Sequence, residues 1–559
     1  MQAIIMEGTA LGKRLQGYII PLLILLAAVV YWNTLGNDFV AGDRQFILRN
    51  NHIGEFSTVL NSITSDYWGK LGGESFIYYR PLVILTHFMD ATWYGLNPAG
   101  HHLSNIFFHC LVTVTVYLFF LSCLSGRRWA AFAGAALFAL HPVHTHSVSY
   151  VMGRTDILAT LFYLWSLILL AYSRRSQTAA VSKLPLAVAC LCFFCALLCK
   201  EIAITLPLAF ILYCFCREEY NRFSWKDRSF IAPLLGVMAT AICYLVLRGV
   251  AVGTGGPQTV LPWYSFSQNA WLVFKTLGFY LVKLLFPVQL CYYSNIVVPG
   301  SLSEVLISPL TWASILFLIA TALSLQRFRI LGFALGWIMI TLLPVINIIM
   351  ISDIAKEHYL YLPSIGFCLS LALIVDWVIQ ARSIRSAVYR RIALCGTMLI
   401  ALLYAAGTID RNHDYKTPLS FLQSTVTTMT PVPLSQREDP RFFEPVKNFY
   451  TTYKNLGIIY QQHNQPEQAI HAFTSALSYT PLYFSSHYAA SVKVLLATSL
   501  VQTGRLEEAY LLLKEARPFV ENPAKVDNRL GMIVRQLGHN PEAEVYVKQA
   551  TIHGGWQDR

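Results

Sequence analysis

What most constrains this chain is a recurrence. Apolar stretches, most of them about 17 to 25 residues and so long enough to cross a bilayer, follow one another along its first three quarters. By length they fall at 16–35, 101–124, 129–146, 155–172, 183–199, 202–216, 230–250, 269–289, 308–325, 330–351, 361–380 and 392–409. With 55% of residues apolar and only 13% charged, there is too little polar surface to cover such stretches in water. In lipid the backbone must satisfy its own hydrogen bonds, so these segments are expected to be helices. The fold class predicted is all-α: a polytopic membrane helical bundle.

Basic residues orient such a bundle, because Lys and Arg of short loops stay on the cytoplasmic side. Lys13 and Arg14 place the N-terminus inside, and Arg127, Arg128, Arg174, Arg175, Lys183 and the stretch 217–228 then share that side. If 269–289 also crossed, Arg327, Arg329, Arg382, Arg385, Arg390 and Arg391 would end outside. Read as a surface or re-entrant helix, 269–289 removes the conflict and leaves about eleven spans, with the C-terminus outside. The excess of 42 basic over 30 acidic residues thus serves orientation and lipid contact, with no nucleic-acid partner. The 12 cysteines lie in or beside apolar stretches, which argues against a disulfide framework or zinc cluster. The first stretch lacks a small-residue cleavage site and reads as an uncleaved anchor.

Polar residues with chemical potential then gather on the outward side. They lie in 37–100, which holds Asp43, Asp66, Tyr79, Arg80 and Asp90, and in the following His101, His102, Asn105 and His109. Others run from His141, His144 and His146 to Arg154 and Asp156, at Lys200 and Glu201, in 252–287 with Tyr292, and in 353–361. Unpaired polar groups at a membrane surface cost free energy, so they mark a site more often than a loop. This face is away from nucleotide pools, so a group donor used there is expected to be lipid-linked. Asp43, eight residues past the first stretch, is the candidate base. Arg80, Arg154 and Lys200 stand at outward boundaries and are candidate phosphate-binding residues. Tyr79, His102, His141, His144 and Asp156 are candidates for sugar or acceptor binding. Pro142 breaks regular geometry between His141 and His144, so no metal is assigned there; a divalent cation stays an open possibility.

After Asp410 the composition becomes soluble, with Pro418, Pro431, Pro433, Pro440 and Pro445 forming a joint. A helix–turn–helix pattern with a period of about 34 residues then recurs. Its first copy carries Tyr453, Leu456, Gly457, Tyr460, Ala469, Phe473, Ala476 and Pro481; the second Leu496, Ala497, Leu500, Ala509, Leu513 and Ala516; the third Leu530, Gly531, Val534, Ala543, Val547 and Ala550. Domains are accordingly expected at 1–410 (membrane), 411–445 (linker) and 446–559 (tetratricopeptide α-solenoid), with repeats near 450–483, 490–523 and 524–557. Such stacks offer a concave face to partner proteins.

Several short segments, in order along nearly the whole chain, carry a resemblance. They are Asp43–Ile47 with Asn51, Tyr79–Leu82, His101–Asn105 through His109, His141–Thr145 through Gly153–Asp156, Cys199–Glu201 and Glu357–Ser364. Together the sequence resembles the transmembrane and tetratricopeptide-repeat-containing O-mannosyltransferases and their bacterial relatives. The resemblance implies a type C glycosyltransferase fold, a polyprenyl-phosphate-linked sugar donor, and transfer to Ser or Thr of a protein acceptor recruited by the repeats. It also implies an inner-membrane enzyme with the repeats on the periplasmic side, and a carboxylate of the first outward loop as base. Two positions depart from the family pattern. Gly42 stands where a first Asp is usual, which leaves Asp43 alone or passes the role to Asp66 or Asp90; His146 stands where the family has Glu. Rival readings are an oligosaccharyl or lipopolysaccharide-type ligase and a non-catalytic membrane scaffold.

Overall fold

The computed structural model describes residues 17–65, 78–174, 183–217, 228–253, 264–348, 353–380, 385–481 and 484–552. Lys13, Arg14, Asp66, Arg175 and Arg382 lie outside the described residues. Among the described residues the regular secondary structure is entirely helical. The chain divides into two compact units, one of residues 1–292 and 299–417, the other of 293–298 and 418–559.

Among the described residues of the first unit, six helices are long and apolar enough to cross a membrane: Ile19–Gly36, Pro98–Cys123, Val151–Ser173, Ser229–Val252, Pro309–Arg327 and Arg391–Tyr415. Five shorter apolar helices accompany them, at Arg128–Leu140, Lys183–Cys199, Glu201–Cys216, Arg329–Val345 and Ser364–Val378. This is a multi-pass membrane protein. The helix Phe266–Leu285 belongs to neither set; it opens on a Ser265/Gln268 capping box and packs along Pro309–Arg327.

Local chemistry sets the breaks, some of them away from the expected limits. The stretch expected at 129–146 stops as a helix at Leu140, because the residue before Pro142 is pushed to extended geometry; His141 sits at ψ 123° and its ring accepts from the Val143 amide. The stretch expected at 330–351 ends its α-helix at Leu342, two residues before Pro344. The stretch 37–100, expected to face outward, is not a plain loop. It contains the helices Phe56–Thr64 and α1 (Pro81–Tyr94), and the latter starts on Pro81, whose missing N–H costs nothing there. Gly95, at φ +61°, reverses the chain. Asn97 then caps α2 (Pro98–Cys123) by accepting from the Ala99 amide.

In the second unit a helix at Pro418–Thr428 falls inside the expected 411–445 linker. Three consecutive helix pairs follow: Phe443–Gln462 with Pro466–Ser478, Ser486–Gln502 with Leu506–Ala516, and Pro523–Gln536 with Asn540–Ile552. Small and large residues interlock within a pair. A Cβ on Gly457 would lie 2.5 Å from the Phe473 ring, so glycine permits the close approach. The extended segment 293–298 belongs to this unit; Asn295 donates to the Thr430 carbonyl at 2.9 Å and the Val298 amide to the Arg441 carbonyl at 3.3 Å.

Candidate functional site

Asp43 closes a tight corner that begins with Ala41 at φ +44°. Its carboxylate is fully buried and accepts from the amides of Met152 at 2.8 Å, Val151 at 3.3 Å and Val40 at 3.3 Å. Burial pushes its carboxyl up to about 7, against the opposing pull of those amides and of Arg154. The neighbouring Gly42 has no room for a side chain, because a Cβ there would run into the Tyr150 hydroxyl.

Arg154 departs from its expected role. Expected to bind phosphate, it is instead 0% exposed, and every nitrogen of its guanidinium meets protein oxygen. It donates to Asn105 Oδ1 at 2.7 Å, the His101 carbonyl at 3.0 Å and the Thr86 carbonyl at 3.3 Å, and pairs with Asp90 Oδ2 at 2.5 Å. A sealed fork with each of its three nitrogens bonded to protein oxygens ties α1 and α2 to the helix Arg154–Arg174 and offers no open face to a ligand.

The remaining cations converge elsewhere, at the ends of several helices. Arg80, just before α1, pairs with Glu201 at 2.8 Å and lies over Tyr78 at 4.2 Å. Lys200, between two apolar helices, pairs with Asp156 at 2.5 Å and faces Tyr359 at 5.0 Å. Lys356 pairs with Asp353 at 2.8 Å and faces Tyr292 at 5.6 Å. Tyr292 in turn stacks on His146, 5.0 Å between centroids and 7° between planes, and the His358 ring is 4.5 Å from His146. Burial, with the cations next in weight, holds His146 and His358 well below the ordinary imidazole range. Both rings are therefore neutral near pH 7, and each leaves Nδ1 without a hydrogen bond. Below this layer Arg411 pairs with Glu357 at 2.6 Å, and Glu357 also accepts from the Cys291 amide, which fixes the backbone next to Tyr292. The arrangement joins positive charge, neutral imidazoles and aromatic faces, which suits an anionic, hydroxyl-rich ligand.

The expected residues divide accordingly. Arg80, Lys200 and Asp156 join this cluster, while Asp43 and Arg154 interact electrostatically behind it. Tyr79 is buried; its hydroxyl donates to the Ile63 carbonyl at 3.1 Å. His141 and His144 do not line an open surface. The His141 ring spends Nδ1 on the Val143 amide and Nε2 on the Leu284 carbonyl at 3.1 Å. His144 bonds Ser364 Oγ at 2.8 Å, packed between Phe138 and Tyr361. His102 is fully buried, with neither ring nitrogen hydrogen-bonded. The histidines at 141, 144 and 146 form no metal-ligating group among the described residues; the one group that does is His87, Asp90 and His101. Lys356, His358 and Tyr292 carried no assigned role in the sequence, although the first outward stretches and the segment Glu357–Ser364 pointed to their neighbourhood.

No protein-family model matches the chain. It is similar to Protein O-mannosyl-transferase TMTC3 of Mus musculus, 26% identical over 531 residues that cover 89% of this chain and 55% of that protein. It is 27% identical over 461 residues to Protein O-mannosyl-transferase TMTC1 of Homo sapiens, covering 72% of this chain and 50% of the relative. A shorter match, 37% over 182 residues, relates 32% of this chain to 21% of Protein O-mannosyl-transferase Tmtc1 of Drosophila melanogaster. The chain spans about half the length of the relatives that it matches over most of its own. Among solved structures, ArnT from Cupriavidus metallidurans bound to undecaprenyl phosphate aligns with a TM-score of 0.38 and 16% identity, over 89% of this chain and 79% of that one.

Proposed function

We propose that this chain is a type C glycosyltransferase of the membrane, which moves a sugar from a polyprenyl-phosphate donor to a Ser or Thr hydroxyl of a protein. The observation that carries the reading is the convergence of Arg80, Lys200 and Lys356 with His146, His358 and Tyr292 at the ends of apolar helices. Similarity to O-mannosyl-transferases supports mannose as the sugar and protein as the acceptor. The acceptor oxygen attacks the anomeric carbon, the bond from that carbon to the phosphate oxygen breaks, and the phosphate leaves with the bonding electrons. Arg80, Lys200 and Lys356 hold the departing phosphate. Asp43 takes the acceptor proton; a carboxyl poised near 7 is well matched to that task at neutral pH. His146 and His358, neutral and with unpartnered Nδ1 atoms, exchange hydrogen bonds with sugar hydroxyls, which both donate and accept.

Six long and five shorter apolar helices support the reading of eleven spans, with Phe266–Leu285 lying at the surface. The basic residues of the short loops support a periplasmic location, at an inner membrane, for the cluster and likewise for the C-terminal unit. The three helix pairs of that unit are read as tetratricopeptide repeats that recruit the acceptor. A second reading, a membrane scaffold without catalysis, is favoured by Gly42 and by the three amides that occupy Asp43. Purified protein given radiolabelled polyprenyl-phosphate mannose and a Ser/Thr-rich peptide distinguishes the two. Label on the peptide, lost in Lys200→Met and reduced in Lys356→Met at donor concentrations below the KM, is the expected result; no label with any polyprenyl-phosphate hexose leaves the scaffold.

A further inference from the structure

The hairpin of α1 and α2 brings together a second constellation, apart from the cation cluster. His87 and Asp90 are three residues apart on α1 and so share one face. His101 comes from the first turn of α2. Gly95 turns the chain between them, and Gly100 lets the helices close, since a Cβ there would run into the Tyr94 ring. One ligating atom from each of the three side chains falls within 4.8 Å of the others, and the residues are 1%, 3% and 0% exposed.

The hydrogen bonds fix where the lone pairs point. His101 Nε2 lies 3.0 Å from the Gly95 carbonyl, which only accepts, so Nε2 carries the proton and Nδ1 is bare. That bare Nδ1 faces Asp90 Oδ2 at 3.6 Å, and neither ring nitrogen of His87 has a hydrogen-bond partner. A bare His101 nitrogen and an Asp90 oxygen thus face each other in a buried space beside a His87 ring that has no partner of its own, an arrangement that a cation would relieve.

We propose that His87, His101 and Asp90 bind a divalent metal ion of the zinc class, with Nδ1 of His101 as one ligand and a water completing the set. Two imidazoles and a carboxylate are the donors that such an ion prefers. The outer contacts fit as well. The Gly95 carbonyl orients His101, and Asp90 is held by the Ser104 hydroxyl at 2.7 Å and by Arg154 at 2.5 Å. Asp43 interacts electrostatically with Arg154 and offsets its positive charge beside the ion. The ion pins α1 to α2 and does not depend on the transfer chemistry proposed above.

The test is metal analysis of the full chain in detergent, after exposure to zinc and removal of unbound ion by gel filtration. Wild type is expected to carry about one zinc per chain, His87→Leu none, and Ser104→Ala an affinity about 10–100-fold weaker. His52→Ala, in an exposed pair with Glu55, retains the wild-type content. Chelator lowers the unfolding temperature of wild type but not of His87→Leu. Should His87→Leu fail to fold, cobalt-loaded wild type is read instead, and intense visible bands of low-coordinate cobalt are expected. Wild type without zinc, cobalt without those bands, or His87→Leu with undiminished zinc would each overturn the proposal and leave His101 and Asp90 sharing a second proton.

Discussion

Replacing Asp43 by Asn separates two consequences of one buried carboxyl. A group held at about 7 in the folded chain, against an ordinary 3.8, binds its proton more tightly folded than unfolded. Its contribution to stability is therefore full below about pH 4 and is lost as the pH rises toward about 7. The interval of about three pH units corresponds to about 4 kcal/mol at most. A base acts only once deprotonated, so transfer should rise across the same interval. Wild type is expected to lose thermal stability and gain transfer rate between about pH 5 and about pH 8. In Asp43→Asn no proton is exchanged, and the stability profile flattens. Whichever way the Asn side chain is turned, its amino group faces either the Met152 amide or the Val40 and Val151 amides, a donor–donor conflict that costs about 1–3 kcal/mol at every pH and shifts the profile without tilting it. Transfer by the variant at about pH 8 should fall about 10²–10⁴-fold. Unfolding in detergent followed by tryptophan fluorescence gives the first quantity, and radiolabelled sugar transfer the second. Parallel stability profiles for the two proteins, or a variant with wild-type transfer, would refute the reasoning.

Arg154→Met leaves Asp90 buried without its cation and should destabilise the membrane unit by about 3–5 kcal/mol, read as a lower unfolding temperature. Lys356→Met removes a partly exposed cation and should raise the KM for polyprenyl-phosphate sugar about tenfold or more, with unfolding unchanged. Gly42→Asp forces the new side chain into the Tyr150 hydroxyl and should lower stability by about 1–3 kcal/mol; adding Tyr150→Phe should recover part of it, which a double-mutant cycle measures. Gly457→Ala presses a methyl on the Phe473 ring and should cost the C-terminal unit about 1–3 kcal/mol, seen as faster limited proteolysis after Pro418.

The apolar segments were legible because hydrophobic length acts locally, each stretch declaring a helix from its own residues. The helix Pro81–Tyr94 and the Asn97 cap that follows it went unread, since they lie in a stretch marked by its polar residues. The limits near Pro142 and Pro344 were misjudged for the opposite reason: apolar composition runs through a proline, whereas helical hydrogen bonding does not. The candidate site was half legible. Arg80, Lys200 and Asp156 were visible as charges at span boundaries, but nothing in sequence separates a cation at a helix end that faces a ligand from one sealed inside. Arg154 and Arg80 look alike on paper. One is sealed inside with each nitrogen bonded to the protein, and the other stands in a cluster of rings and charges.

By itself, the sequence determined that this chain enters a membrane many times as helices and carries a repeated helix–turn–helix pattern at its end, since hydrophobic burial and helical periodicity are written residue by residue. Only the tertiary structure decided which polar groups meet. His146, Tyr292, His358 and Lys200 come from stretches of chain far apart, as do Arg154 and Asp90. The energy of a buried charge depends on partners within a few ångströms, a distance that packing fixes and sequence separation does not.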